Sequence, residues 1–270
     1  MNGQTLSIVI PAYNEAQRIS PTLDSVLEYV AQQNWDAEII VVNDGSTDET
    51  GDIVRGYARK YPSVRLLENP GNRGKGYSVR VGMLDGRGDI LLFSDADLST
   101  PVSEAAKLIE AIENGAEIAI GSRWLRRELQ KKPQPLHRQI CGRIFNLVIR
   151  MVLGLSYNDT QCGFKAFTRR AAQVLFPAQR IERFGFDGEL LLLARKCDFT
   201  IQEVPVAVLH DERSKIDPIR DGFRMLLETL QILWYELSNN YETVLPVAVV
   251  TQMPGTHSAM PLKTDEAEAA

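Results

Sequence analysis

Cysteine is scarce: Cys141, Cys162 and Cys197 are the only three in 270 residues, and they lie far apart. An odd count without C-x-x-C spacing excludes a disulfide framework and a zinc site, and it suits a reducing compartment. Histidine is equally scarce, three in all, and none stands in a catalytic pattern. The formal net charge of −5 leaves no basic excess, so no attraction to nucleic acid is expected. No apolar run approaches the roughly 20 residues that cross a bilayer. The longest of helical character, "IFNLVIRMVLGL", is interrupted by Arg150. The start, "MNGQTLSIVIPAYNE", lacks the basic head, apolar middle and small-residue cleavage site of a secretory signal, so a cytoplasmic location is expected. The motifs G-x-x-x-x-G-K-[ST] and G-x-G-x-x-G are also missing, which leaves an ATPase or a dehydrogenase without support.

What is present is a rhythm. "LSIVI" and "AEIIVV" are short runs rich in β-branched residues. Between them Ile19, Leu23, Val26, Leu27 and Val30 recur at helical spacing, with Ser20 and Pro21 as the expected N-cap and first turn. After the second strand, Ser46 and Glu49 have capping-box spacing ahead of a helix through Ile53, Val54 and Tyr57. Further strands follow in "VRLLEN", "DILLFSD" and "AEIAIGS", with a glycine-rich turn, "NPGNRGKG", and helices between them, the last opened by Thr100 and Pro101. Strands alternating with helices at this pitch predict one α/β domain, a mostly parallel, Rossmann-like three-layer α/β/α sheet. Ligands of such sheets bind beyond the carboxyl ends of the strands.

From Arg123 a basic, proline-containing segment leads to an amphipathic helix through Ile140, Ile144, Leu147, Val148, Met151 and Val152. Then come "DTQCGFKAF", to which no element is assigned, a helix in "FDGELLLLARKC" and a strand in "IQEVPVAVL". A last helix carries Ile219, Phe223, Leu226, Leu227, Leu230, Leu233, Trp234 and Leu237 on one face. Core packing is the ordinary use of such a face, while Phe223 and Trp234 leave attachment to a membrane surface open. Residues 242–270 are expected to form a poorly ordered tail.

The chemistry gathers at strand ends. "LLFSDADLST" closes an apolar run with two aspartates one residue apart. If the extended backbone persists through Ala96, Asp95 and Asp97 project to the same side, where repulsion disfavours them unless a hard divalent cation neutralises both. The alternative is that they cap the following helix or lie solvated in a turn. Ser99 either adds an oxygen ligand or caps that helix. "PAYNE" and "NDGS" follow the first two strands and so face one crevice. There Tyr13 offers an aromatic surface and Asp44 an acceptor for a pyrimidine N–H, unless both stretches are simple turn formers. "GNRGKG" offers open backbone amides and a cation, Lys75, for a pyrophosphate. Arg123, ending the fifth strand, either forks a phosphate in the crevice or stays a surface arginine.

Taken together, "SIVIPAYNE", "VVNDGSTDET", "NRGKG" and "DADLST" resemble the nucleotide-sugar half of family 2 inverting glycosyltransferases with the GT-A fold, over nearly the first half of the chain. The later "DTQCGFKAFTRRAA", "FGFDGELLLLA" and "SKIDP" resemble the dolichyl-phosphate β-glucosyltransferase branch of that family, and more distantly the mannosyl branch. The resemblance implies a metal-dependent enzyme moving glucose from UDP-glucose to a polyprenyl phosphate. It implies Pro11, Tyr13, Glu15 and Asp44 around the nucleotide, Lys75 and Arg123 near the donor, and Asp95 and Asp97 as the Asp-x-Asp motif that holds Mg²⁺ or Mn²⁺. A glutamine that adds a metal ligand in the mannosyl branch is Ser99 here, a shorter donor. Residues 1–123 correspond to the nucleotide-sugar half and 124–241 to the acceptor half of one GT-A domain. Arg126, Arg127, Lys131, Lys132 and Arg138 make a basic segment suited to an anionic head group, or else a solvated charged loop. Lys215 matches a family position on phosphate. The membrane spans of some members have no counterpart in this sequence, so a soluble or surface-bound form is expected.

In the implied reaction an acceptor oxygen attacks the anomeric carbon from the face opposite the nucleoside diphosphate. A lipid phosphate is already anionic and needs no base, so positioning by Arg126, Arg138 and Lys215 is expected. A sugar hydroxyl would need one, and Asp187 in "FDGELL" is the candidate, with helix capping as its alternative. Glu189 has no assigned role, Asp159, Gln161 and Lys165 are candidates for lining the sugar pocket, and Cys162 reads as packing. The rival enzymes are a GDP-mannose-dependent polyprenyl-phosphate mannosyltransferase and a transferase with a soluble hydroxyl acceptor. From other classes come a nucleotidyltransferase, whose glycine-rich, arginine-containing loop is replaced here by "PAYNE", and a non-catalytic nucleotide-sugar binding module.

Overall fold

In the computed structural model of the chain, residues 3–130, 136–209 and 218–242 are described. The strands are β1 (Leu6–Ala12), β2 (Ala37–Asn43), β3 (Val64–Glu68), β4 (Ile90–Ser94), β5 (Ile118–Ser122), β6 (Phe164–Thr168) and β7 (Ile201–Pro205). The helices are α1 (Ile19–Gln32), α2 (Thr50–Lys60), α3 (Lys75–Asp85), α4 (Ala105–Glu113), α5 (Leu136–Leu153), α6 (Arg169–Ala178), α7 (Phe186–Lys196) and α8 (Pro218–Leu237). One sheet runs in the order β3-β2-β1-β4-β6-β5-β7. The pairs β1–β2, β1–β4, β2–β3 and β5–β7 are parallel, and β6 is antiparallel to both of its neighbours.

The near-continuous apolar runs arise because both faces of the sheet are covered. Alternation then divides each strand between two cores. Ile8, Ile10, Ile39, Val41, Ile90 and Leu92 join Leu23 and Val26 of α1, Val54 of α2 and Leu108 of α4 on one face. Val9, Ile40, Val42, Leu91 and Phe93 join Val79 and Met83 of α3, Leu175 of α6 and Leu190 of α7 on the other. Each such side chain, fully buried, contributes about 1.5–3 kcal/mol. The result is the three-layer α/β architecture of the GT-A fold. Its topology also ties the chain's two halves into one domain, because β6 lies between β4 and β5. Strand order reverses between β1 and β4, and the loops leaving β1, β2 and β4 open at that switch point.

Several local expectations are corrected. "DTQCGFKAF" supplies β6, and "TRRAAQVLFPA" supplies α6, whose first turn is capped by the Thr168 hydroxyl accepting from the Ala171 amide at 3.2 Å. Helix α1 begins two residues early, with Arg18 rather than Ser20 at its N-cap. The capping box of Ser46 and Glu49 does not form: Ser46 Oγ accepts from the Asn14 amide at 2.9 Å, so it stitches two loops together, and α2 starts only at Thr50. A short 3₁₀ turn, Val102–Glu104, intervenes between Pro101 and α4.

The apolar faces of α5 and α8 are the larger correction. The periodicity is as predicted, but Ile144, Leu147 and Met151 of α5 and Phe223, Leu227, Leu230, Trp234 and Leu237 of α8 are exposed. The two helices touch each other, and other positions, among them Ile149 and Ile232, are buried in the core that α7 shares. Among the described residues no helix is long and apolar enough to cross a membrane. The expected tail, apart from Glu242, lies outside the described residues.

Candidate active site

The loops after β1, β2 and β4 and the N-terminus of α3 enclose a cavity of ≈ 310 Å³. Pro11, Tyr13, Glu15, Asp44, Lys75, Asp95 and Asp97 all line it. The structure thus brings seven of the residues singled out in the sequence to one space.

Asp44 does more than expected. Its Oδ1 accepts from Asn69 Nδ2 at 2.8 Å and from the Arg73 amide at 3.0 Å, and its Oδ2 accepts from the Gly74 amide at 2.8 Å. The glycine-rich turn is therefore fastened to the end of β2, and two of the amides expected to stand open for a pyrophosphate are already taken. The approach is close: a Cβ on Gly45, which sits at φ +68°, would lie 2.4 Å from the Gly71 backbone. Only glycine fits there. Glu15 is likewise committed, its carboxylate forking Arg18 at 2.5 and 2.6 Å and its amide bonded to Thr50 Oγ1 at 2.8 Å.

Strand β4 ends at Ser94, so the extended path through Ala96 is not what brings the aspartates together. A turn does it instead: the Leu98 amide donates to Asp95 O at 3.2 Å, Thr22 Oγ1 donates to Ala96 O at 2.6 Å, and Leu98 takes φ 46°. Asp97 Oδ1 accepts from the Ser99 amide at 2.9 Å, and Lys75 Nζ lies 2.5 Å from Asp95 Oδ1. Burial, and then the neighbouring Asp95 charge, raise the Asp97 carboxyl above the ordinary range against the opposing Ser99 amide and Lys75. Burial works against the Lys75 ammonium, yet Asp95, Asp187 and Asp97 outweigh it and hold its pKa above the usual lysine value. Two hard oxygen donors that repel each other in one cavity suit a divalent cation. Among the described residues no group of three or more His, Cys, Asp and Glu accompanies them. Such a cation would draw its remaining ligands from substrate and water, as Mg²⁺ commonly does. Ser99 does not line the cavity; its carbonyl accepts from the Leu209 amide at 2.7 Å.

Other expected residues stand apart. Arg123 does not line the cavity: its guanidinium forks the fully buried Asp159 at 2.7 and 2.8 Å. Burial alone would raise the Asp159 carboxyl, and Arg123 reverses this and holds it low. Asp187 is buried in an ion pair with Lys165, which also donates to Cys162 O at 2.6 Å. Burial raises the Asp187 carboxyl despite that partner. Asp159 and Lys165 thus serve buried ion pairs rather than the wall of the pocket. Arg126 is exposed and does not line the cavity. The Arg138 side chain, Lys131, Lys132 and Lys215 lie outside the described residues.

Sequence reasoning missed Arg18, Arg183 and Phe184, which line the cavity as well. The i,i+3 spacing of Glu15 and Arg18 is a usable signal for the first. The other two arrive by a long-range contact, the Tyr77 amide donating to Glu182 O at 2.9 Å, and no local pattern announces it.

The chain matches the model of glycosyl transferase family 2 over residues 7–176. It is 40% identical over 243 residues to a dolichyl-phosphate beta-glucosyltransferase of Trichomonas vaginalis, covering 85% of this chain and 71% of that protein. The dolichyl-phosphate beta-glucosyltransferase of Drosophila melanogaster is 40% identical over 233 residues (82% and 72% covered), and that of Homo sapiens 34% over 233 residues (82% and 72%). Among solved structures, glucosyl-3-phosphoglycerate synthase from Mycobacterium tuberculosis, in complex with Mn²⁺, UDP and glucosyl-3-phosphoglycerate, superposes with a TM-score of 0.59 at 21% identity, covering 86% of this chain and 80% of that one. That likeness is one of fold.

Proposed function

Because the chain belongs to glycosyl transferase family 2, we propose that it moves glucose from UDP-glucose to a polyprenyl phosphate of the dolichyl type, with inversion at the anomeric carbon. The observation that carries this reading is that Lys75, Asp95 and Asp97 share one cavity with the Asp44-fastened turn, beside Tyr13. An aromatic ring for a base, a cation for a diphosphate and a carboxylate pair for a divalent ion then surround a single space.

Asp95 and Asp97 would hold Mg²⁺ or Mn²⁺, and when bound this ion supplies positive charge that stabilises the departing diphosphate. The chain's own residues do the rest. Tyr13 gives the uracil a face to lie on, and Asp44, already accepting three hydrogen bonds, retains one acceptor site on Oδ2 for the ring N–H. Lys75 and Arg183 add fixed positive charge where negative charge develops as the glycosidic C–O bond breaks and its electrons leave with UDP. The attacking oxygen of a lipid phosphate is anionic near neutral pH, so no proton has to be removed. Arg126, Arg138 and Lys215 are the cations we assign to that phosphate.

The direct test offers UDP-glucose, UDP-galactose and GDP-mannose with undecaprenyl phosphate and Mg²⁺ or Mn²⁺, and identifies the glycolipid by mass. A hexosyl lipid from UDP-glucose alone is the expected product. Faster turnover of GDP-mannose, or transfer only to a soluble hydroxyl, would overturn the reading.

Asp187, engaged by Lys165, fits an orienting role better than that of a base. Asp187→Asn is therefore expected to retain a measurable rate with the lipid phosphate, and total loss in protein that is still folded would refute this division of labour. The variant strands the Lys165 ammonium in the interior, at a cost of about 3–5 kcal/mol, so its melting temperature is measured alongside.

The same reading supplies a partner for the outward faces of α5 and α8. Met151, Phe223 and Trp234 are 65%, 64% and 60% exposed. Glu228 of α8 accepts from the Gly185 amide at 2.7 Å, which ties α8 to the segment that carries Phe184 at the cavity. A bilayer held on the outward faces of these helices would bring a lipid acceptor to the same protein surface that carries the site. In flotation with phospholipid vesicles the protein is expected to rise with the lipid, and Phe223→Ser/Trp234→Ser to weaken binding about tenfold or more. A protein that stays at the bottom of the gradient would remove the membrane from this scheme.

A further inference from the structure

Glu189 of α7 is fully buried and has no salt-bridge partner among the described residues, yet donors surround it. Its Oε1 accepts from the Arg180 amide at 2.9 Å and from the Tyr241 hydroxyl at 2.7 Å, and its Oε2 accepts from the Ile181 amide at 2.8 Å. The Arg180 guanidinium bonds elsewhere: it donates to Asn240 O at 2.9 Å and lies over the Tyr235 ring. Burial pushes the Glu189 carboxyl up to about 7 despite these donors. An apolar side chain of similar size would avoid burying a charge but would leave the Arg180 and Ile181 amides and the Tyr241 hydroxyl without this acceptor. The carboxylate is explained by what it holds.

It holds the start of the segment 180–184, whose far side rests on the end of the glycine-rich turn and the first residues of α3. The Tyr77 amide donates to Glu182 O at 2.9 Å, and Gln179 Nε2 donates to Gly76 O at 2.9 Å and to Ile181 O at 2.8 Å. At the two glycines of the turn the backbones come into close contact. A Cβ on Gly74 would lie 2.5 Å from Glu182 O, and one on Gly76 would lie 2.7 Å from Ile181 O. The next residues, Arg183 and Phe184, line the cavity.

We propose that Glu189 is a positioning residue: its carboxylate, completed by Tyr241, fixes the segment 180–184 against the turn at Gly74–Tyr77 and so sets Arg183 and Phe184 as a wall of the donor cavity. This rests on reading that cavity as the nucleotide-sugar site. Through Tyr241 the turn that follows α8 becomes part of donor binding, although it touches no substrate.

Glu189→Gln, made in the full chain, keeps one acceptor but turns an NH₂ toward backbone N–H groups. The expected result is a KM for UDP-glucose, and a Kd for UDP with Mn²⁺, raised about tenfold, with kcat changed much less. Hydrogen exchange is expected to quicken at the Arg180 and Ile181 amides and also at Tyr77, which Glu189 does not touch. Tyr241→Phe removes a single donor without adding one, and the same changes are expected at about threefold, which keeps the test decisive if Glu189→Gln does not fold. A lower melting temperature with KM, Kd and Tyr77 exchange all at their wild-type values would make Glu189 merely structural and overturn the proposal. The two readings fail separately: wild-type protein that binds no UDP refutes the donor site, whereas the Tyr77 amide reports the fastening with no ligand present.

Discussion

Asp95→Ala is expected to lower turnover with UDP-glucose by about three orders of magnitude, because charge stabilisation at a departing diphosphate is worth several kcal/mol and each 1.4 kcal/mol is tenfold. Folding should survive it. Asp95 is partly exposed and its pairing with Lys75 lies at the cavity, so the stability at stake is on the order of 1 kcal/mol or less. The variant also removes the charge that helps raise the Asp97 carboxyl, so Asp97 is left a more ordinary carboxylate but without its companion. Asp97→Ala should be equally inactive by the other route, losing the member that the Ser99 amide orients. The informative comparison is calorimetric. Wild-type protein should bind UDP more tightly with Mn²⁺ than with EDTA, and either variant should bind it alike in both. Retention of more than a tenth of the wild-type rate in both variants would detach catalysis from the carboxylate pair. An unchanged metal effect on UDP binding would place the cation elsewhere.

How much of this could be read in the sequence follows from the range of the contacts involved. Strands β1, β2 and β4 are legible because burial on both faces writes itself as unbroken Ile, Leu and Val, and the loops that follow them must then share one end of the sheet. Strand β6 is not legible, because Lys165 is its second residue and a lysine there argues against burial. Its counter-charge, Asp187, comes from α7, 22 residues later. Arg123 fails for the same reason: its partner Asp159 lies 36 residues further on and pulls the guanidinium away from the crevice. Ser46 has the right spacing for a cap and is drawn off by Asn14, 32 residues before it. With α8 the period is plain but the direction is not, since amphipathicity states that one face is apolar and says nothing of what covers it. Asp44 lies between these cases. Its place in the crevice follows from the end of β2, whereas its grip on Arg73 and Gly74 needs the fold.

An alanine at Gly163 is expected to cost about a hundredfold in turnover although it removes no functional atom, since a misplacement near 1 Å at a reacting centre has that effect. A Cβ at this position would lie 2.2 Å from Asp95 Oδ2, 2.8 Å from its Cγ and 2.9 Å from its Oδ1. One partner must move, and the backbone at 163 is poorly able to. Cys162 and Phe164 on either side are buried, Phe164 begins β6 between β4 and β5, and the Cys162 carbonyl is held by Lys165 at 2.6 Å. Asp95 hangs from the turn after β4 and is tied through its side chain to Lys75, so it is the part that yields. The stability cost should stay within the about 1–3 kcal/mol typical of overpacking, and the melting temperature separates it from the loss of rate. If displacement of Asp95 is the whole cause, Gly163→Ala added to Asp95→Ala should lower the rate no further, because the two changes disable one unit. A further drop in the double variant would show that the alanine harms something other than Asp95. A Gly163→Ala enzyme within threefold of wild type would mean that Asp95 can act from a position other than the one the glycine leaves open for it.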